Sequence, residues 1–197
     1  MYHNEIQKPL RLMEITPRTA VADRTRNAIL DAAAWVLARD PGATMAQVAK
    51  SAGMARSTVH RHFPERGNLV QALRQRADNE VRAAYTHVGN DMARAGLLRL
   101  AQAFFEHADL LMAAYVSLPQ ADQLVTLNAT DPAMNMLIER GHADGSIDPA
   151  LHPAWVEQAL WGLLYASWKT AANGSLSRFD AQAVLLGAIG KLLAPKQ

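Results

Sequence analysis

Residues 44–63 read T-M-A-Q-V-A-K-S-A-G-M-A-R-S-T-V-H-R-H-F, and their spacing limits the possible fold more than any other stretch. Val48 and Ala49 mark the inner face of one short helix, Met54 follows a turn, and Val59 and Phe63 return on the inner face of a second helix. Short helices that cross steeply leave no space beyond a methyl group at Ala49. The tight turn between them needs one residue that accepts a positive φ, which is Gly53. With those anchors turned inward, Arg56, Ser57, Thr58, His60, Arg61 and His62 are left facing mostly outward. Such a set reaches base edges and phosphates, and Arg56 and Ser57 stand at the helix N-terminus, where helix-turn-helix motifs touch bases. The competing reading is a solvated helix of an ordinary bundle. That reading requires neither this turn nor a face poor in Glu and rich in Arg and His.

The flanks supply the rest of a three-helix head. A helix opens at Arg24, with Ile29, Ala32, Ala33, Val36 and Leu37 on one face, and Asp40-Pro41-Gly42 stops it. Thr44 suits the N-cap of the next helix. Beyond Pro64, Leu69, Ala72, Leu73 and Arg76 share a face of a longer helix that runs to about Val88. Downstream, 97–118 reads as two helices bent near His107 to Asp109, and Pro119 to Asp131 as a polar connection. Further helices cover Ala133 to His142, Trp155 to Ala172 and Phe179 to Leu193. Alternating runs are missing, so no strand is expected. The fold class is all-α: a helix-turn-helix domain over 23–82 and a helical effector-binding and dimerisation domain over 83–197, about nine helices in all. A flexible basic arm over 1–22 precedes them, and whether Met1 or Met13 starts the chain is left open.

Charge is divided along the chain. Residues 1–82 hold 13 Lys+Arg against 8 Asp+Glu, a net +5, and 83–197 hold 7 against 10, a net −3. A basic front points to a polyanion, and eleven of its cations are Arg, which offers two parallel donors to a phosphate or a guanine edge. The sequence has no Cys, so disulfides and thiolate metal sites are excluded and a reducing compartment fits. No apolar run approaches the roughly 20 residues of a membrane span, and the N-terminus does not read as a secretory signal. A cytoplasmic protein is expected.

Enzymatic readings find little support. No nucleophile elbow, phosphate loop or zinc-protease helix motif is present. His60 and His62 diverge on a helix, as do His107 and Asp109, and His142 with Asp144 is two ligands rather than a site. No metal, cofactor or catalytic residue is expected.

The run from Arg24 to about Arg76 resembles the DNA-binding domain of the tetracycline-repressor (TetR) family. The similarity lies in the I-L-D-A-A opening of the first helix, the V-A-x-x-A-G-M turn, S-T-V-x-R-H-F, and the following P-x-R-x-x-L. It covers about a quarter of the chain; the remainder is similar only in its helices and in the G-H-A-D-G-S-I-D-P loop. The resemblance implies DNA contacts at Thr44, Arg56, Ser57 and Thr58, and phosphate contacts at His60, where the family usually has Tyr, and at Arg66, commonly Lys. Arg61 and His62 complete the candidate DNA-binding set. Ala55 departs from the usual Ser or Thr cap, so the recognition helix starts without side-chain support.

One recognition helix covers few base pairs, so useful specificity needs two, held about 34–36 Å apart by a dimer. The last helix carries an apolar stripe (Ala181, Val184, Leu185, Ala188, Ile189, Leu192) and a small-residue stripe (Ala183, Gly187, Gly190, Ala194). Val184, Gly187, Ala188 and Gly190 are the candidate dimer residues, the alternative being a buried core helix of a monomer. Phe104, His107, Met112, Tyr115, Met136, Trp161, Tyr165 and Trp168 are candidates for an effector pocket, which the resemblance puts in this half; ordinary core is the competing reading for each. The expectation is a sequence-specific, homodimeric transcriptional regulator, a repressor released from a palindromic DNA operator by an apolar or aromatic small molecule. Two alternatives stay open: a DNA-binding protein of this fold without a small-molecule effector, and a helical-bundle enzyme or ligand carrier.

Overall fold

The computed structural model describes residues 17–88, 91–116 and 131–195, and among these every regular element is a helix. In chain order they are α1 (Pro17–Arg39), α2 (Met45–Ser51), α3 (Arg56–His62), α4 (Arg66–Val88), α5 (Ala93–Glu106), α6 (Ala108–Val116), α7 (Pro132–Ala143), α8 (Pro153–Ala172) and α9 (Arg178–Leu192).

The first four helices enclose a core of Ile29, Ala33, Leu37, Val48, Ala49, Val59, Phe63, Leu69 and Leu73, all nearly inaccessible to solvent. Gly53 joins α2 to α3 with φ +64, the left-handed region that a Cβ disfavours. A complete capping box opens α2: the Gln47 backbone N–H donates to the Thr44 hydroxyl at 3.3 Å, and the Thr44 N–H donates to Gln47 Oε1 at 2.7 Å. α3 opens at Ala55 with no side-chain cap. One boundary differs from the sequence reading. α1 begins at Pro17, not Arg24, so 17–22 belong to a helix rather than to an arm. A proline at a helix opening sacrifices no bond, because the first N–H groups have no intrahelical partner. Residues 21–24 are exposed, so they carry no burial periodicity that could reveal the helix. Residues 1–16, and the polar connection as far as 130, lie outside the described residues.

α4 is continuous from the four-helix front into the second half, where α5 to α9 bury Leu97, Leu100, Phe104, Leu111, Ile138, Leu164 and Leu185. The expected bend falls at His107, between α5 and α6. Gly141 packs directly on Ile147, and a Cβ there would overlap that side chain and sit 3.0 Å from the Ala93 Cβ. Three elements meet at Asp109 at the start of α6. Its Oδ1 accepts from Arg39 Nη1 of α1 at 2.9 Å and from Trp168 Nε1 of α8 at 2.7 Å. Arg178 at the head of α9 donates to the carbonyls of Phe105 and Glu106 at 2.9 and 2.8 Å, satisfying the open C-terminal end of α5.

Candidate nucleic-acid interface

α3 lies on the surface, with Val59 turned inward and Arg56, Ser57, His60 and Arg61 exposed. Thr58 and His62 are half-buried at its flanks. Among the described residues, Arg56, Ser57, Thr58, His60, Arg61 and His62 form no side-chain hydrogen bond or ion pair with the rest of the chain, so their donors and acceptors face outward. Thr44, also exposed, stands at the head of the neighbouring α2, its hydroxyl already engaged with Gln47. The seat of α3 is stiffened from below: Phe63 is buried and the Arg26 guanidinium lies 4.7 Å from its ring centroid.

Arg66 behaves differently from the expectation of a free phosphate ligand. Its Nη1 donates to the Ala43 carbonyl at 2.7 Å and its Nη2 to the Pro41 carbonyl. Both acceptors belong to the loop that closes α1 and precedes the capping box, so the guanidinium ties the start of α4 to the entry of α2. The loop needs such donors because Pro41, Gly42 and Ala43 follow a terminated helix and carry carbonyls with no ladder to join.

The candidate effector residues do not form one pocket. Phe104 and Trp161 stack at 5.4 Å between centroids, with 11° between planes. Tyr115 meets Trp161 edge-on at 6.1 Å, and Tyr85 meets Phe104 edge-on at 6.1 Å. Tyr115 also donates to Asp78 Oδ1 at 3.1 Å. Trp168 is buried apart from this cluster, bonded to Asp109, and Met112 is buried core. His107 lines a separate cleft of about 360 Å³ between α4 and α5, with its Nε2 3.5 Å from Glu80 Oε2. Met136 and Tyr165 are exposed, so Tyr165 leaves the inward face assigned to it with Trp161, Leu164 and Trp168.

Two members of the cluster went unnoticed in the sequence. Tyr85 comes from α4, and Glu157, only 6% exposed, comes from α8 one turn before Trp161. Glu157 accepts the Asp131 backbone N–H at 3.2 and 3.4 Å through its two oxygens. Burial pushes its carboxyl above the ordinary glutamate range, the charge of Asp131 adds to this, and the Asp131 N–H opposes it. Burial likewise raises the Tyr85 phenol, with the negative charges of Asp131 and Glu157 contributing, and raises Tyr115 beside Asp78. The signal was available: positions 157, 160, 161, 164 and 168 follow one helical face, and Glu157 is the charged residue on it.

The dimer candidates also divide. Ala181, Leu185 and Ile189 face the core, whereas Val184 and Gly187 are exposed beside Phe179, which is 79% exposed. Ala188 and Gly190 are half-buried, and the Gly190 carbonyl accepts from Arg94 Nη2 at 2.6 Å. Val184 thus parts from the stripe that placed it with Leu185, because a step of one residue rotates about 100° around the helix. Among the described residues no three His, Asp or Glu side chains gather as a metal site, and no helix is long and apolar enough to cross a membrane.

The family model described as bacterial regulatory proteins, tetR family, matches residues 29–73, from within α1 to within α4. The HTH-type transcriptional repressor LfrR of Mycolicibacterium smegmatis is 30% identical over 157 residues, covering 77% of this chain and 82% of that protein. The crystal structure of the TetR-like regulator LfrR from Mycobacterium smegmatis superposes with a TM-score of 0.67 at 26% identity, over 88% of this chain and 98% of that one. The same regulator in complex with proflavine gives 0.63 at 26% identity, with the same coverage of both chains. The fatty acid degradation regulator FadR from Bacillus halodurans, at 17% identity and a TM-score of 0.61 over 85% of this chain and 93% of that one, shares the fold. With the helix-turn-helix geometry, the matched head and a relative aligned over most of both chains in agreement, this chain belongs to the TetR family of DNA-binding transcriptional regulators.

Proposed function

We propose that the protein is a homodimeric, cytoplasmic repressor that grips a palindromic operator with two α3 helices and lets go when a flat aromatic or apolar molecule enters its second half. The observation that carries this reading is the face of α3: Arg56, Ser57, His60 and Arg61 are exposed and unengaged, on a helix whose seat is held by Gly53, Phe63 and the Arg66 ties. Arg56 at the head of α3 is assigned bidentate recognition of a guanine edge. Ser57 and Thr58 read bases or bind phosphate, while Thr44, His60, Arg61 and His62 set the head on the sugar-phosphate backbone. Arg66 holds the α1–α2 loop in position for that contact.

We assign the reading head to 23–82 and the effector and dimer half to 83–197, with α4 running through the boundary. The exposed apolar residues Tyr165, Phe179 and Val184, with Gly187 among them, favour a second copy packing on α8 and α9. An effector response is supported by the aromatic cluster and by the proflavine complex of the LfrR relative. Coupling requires the ligand to bind one spacing of the heads better than the other, typically by 1–3 kcal/mol.

The test is selection of bound duplexes from a random library, then release of the selected duplex by compounds, with the mass of the complex measured in solution. A two-fold symmetric site, two chains per site and release by a flat aromatic compound support the proposal. Equal retention of all duplexes would remove it.

A further inference from the structure

We infer that Asp109 is a positioning residue for operator recognition: by tying α1 and α8 to the start of α6 it fixes the angle of the head, and with it the half-site spacing that the dimer accepts. This deepens the reading above and rests on the homodimer proposed there.

α6 stands between the head and α8, and one side chain near each of its ends touches both. Near its start, Asp109 Oδ1 accepts from Arg39 Nη1 of α1 at 2.9 Å and from Trp168 Nε1 of α8 at 2.7 Å. Near its end, Tyr115 donates to Asp78 Oδ1 of α4 at 3.1 Å and meets the Trp161 ring of α8 edge-on at 6.1 Å. The spacings agree: residues 109 and 115 lie about 9 Å apart along α6, and residues 161 and 168 about 10 Å apart along α8. The pairs run in opposite order, so α6 and α8 face each other antiparallel across two rungs. α8 is also the helix proposed to carry the partner copy, so each rung joins the dimer face to the head.

A head held at one rung can turn about it; a head held at two cannot. The Asp109 rung is the more constrained of the pair. Arg39 is the last residue of α1, and its Nη1 also donates to the Trp35 carbonyl at 2.9 Å. Its guanidinium lies 4.6 Å from the Trp35 ring centroid and 6.0 Å from that of Trp168. Trp168 is only 4% exposed, so its indole N–H needs an acceptor from the protein, and Asp109 supplies it. As a partly exposed ion pair, Arg39 with Asp109 adds little stability. Its consequence is geometric, because the same oxygen serves both helices. The four helices of the head share one core and move together about the Tyr115 rung. From Asp78 to Arg66, where α4 begins beside α3, the helix spans about 18 Å, twice the distance between the rungs. A slack of 1–2 Å at Asp109 therefore becomes about 2–4 Å at the recognition helix, comparable to the 3.4 Å rise of one base pair.

The experiment uses the full chain and duplexes carrying the selected half-sites, with the spacer between them lengthened or shortened by one or two base pairs, and a further duplex carrying one half-site. Asp109→Asn keeps an acceptor for the Trp168 N–H and removes the charge that holds Arg39. Arg39→Met removes the other partner and keeps its length, so either variant serves if the other does not fold. Ile138→Val, a truncation in the core of α7, controls for lost stability. The wild type should lose about tenfold in affinity for each base pair of altered spacing. Asp109→Asn and Arg39→Met should lose no more than about threefold, and the double variant should match the single ones, since all three break one contact. Affinity for the lone half-site should stay as in the wild type, and Ile138→Val should keep the wild-type spacing preference. An unchanged preference in both variants, an equal loss on the lone half-site, or the same flattening in Ile138→Val overturns the inference and leaves the dimer reading standing. A wild type indifferent to spacing removes both.

Discussion

Removing the Arg66 guanidinium separates two roles that family position and tertiary structure assign differently. A cation on a phosphate contributes about 0.9 to the slope of log binding constant against log salt. A cation tied to its own chain contributes stability instead. Arg66 donates to the carbonyls of Ala43 and Pro41, at positions 23 and 25 residues earlier in the chain. Hydrogen bonds from a charged donor contribute about 1.5–3 kcal/mol each, but Pro41 is exposed and its carbonyl is rehydrated when the donor leaves. The Arg66→Ala variant should therefore lose about 1–2 kcal/mol in all. For a chain of this size that lowers the melting temperature by roughly 2–8 °C. Operator affinity should fall because α2 and its capping box shift, while the salt slope stays as in the wild type. Arg66→Lys should not restore either property, since an ammonium on a flexible stem cannot span two carbonyls as a planar fork does. Thermal melts and binding titrations at several salt concentrations provide the assay. A slope reduced by about one with an unchanged melting temperature, or full rescue by Lys, would refute the clamp and return Arg66 to the phosphates.

Three further outcomes are expected. Arg56→Ala should flatten base preference at one operator position, at a cost of about 1–3 kcal/mol, measurable by repeating the duplex selection; a uniform loss over all sequences would contradict its reading role. Gly53→Ala should destabilise the head by about 1–2 kcal/mol in a denaturant melt although no atom stands within 4 Å of the new Cβ, because the cost is the backbone at φ +64 alone; an unchanged midpoint would contradict that account. Glu157→Gln should melt higher than the wild type at neutral pH. A carboxyl raised on folding favours the folded state while protonated, below the ordinary glutamate pKa of 4.5, and loses that contribution as pH rises through the raised value. The two melting temperatures should therefore converge below about pH 4, and a gap that persists in acid would rule out the buried charge as its cause.

The reading head was legible because its constraints are local. The positive φ of Gly53, the cap at Thr44, the close approach at Ala49 and the burial of Val59 and Phe63 each follow from chemistry within a few positions. The outward face of α3 follows by subtraction. Misplacement of the α1 start has the same origin in reverse, since an exposed first turn leaves no pattern to read.

The second half shows what periodicity leaves open. A helical period tells which residues share a face, not which face meets which helix. Tyr85 pairs with Phe104 and Trp161 with Tyr115 only because α4, α5, α6 and α8 converge. Trp168 shares a face with Trp161 yet ends on Asp109, and Tyr165 next to it ends in solvent. Arg66 is a cation in either reading until the fold brings two orphaned carbonyls within its reach. Backbone preference and burial pattern act over a few residues and can be read along the chain. Pairing across tens of residues depends on how whole helices dock, and only the assembled structure decides that.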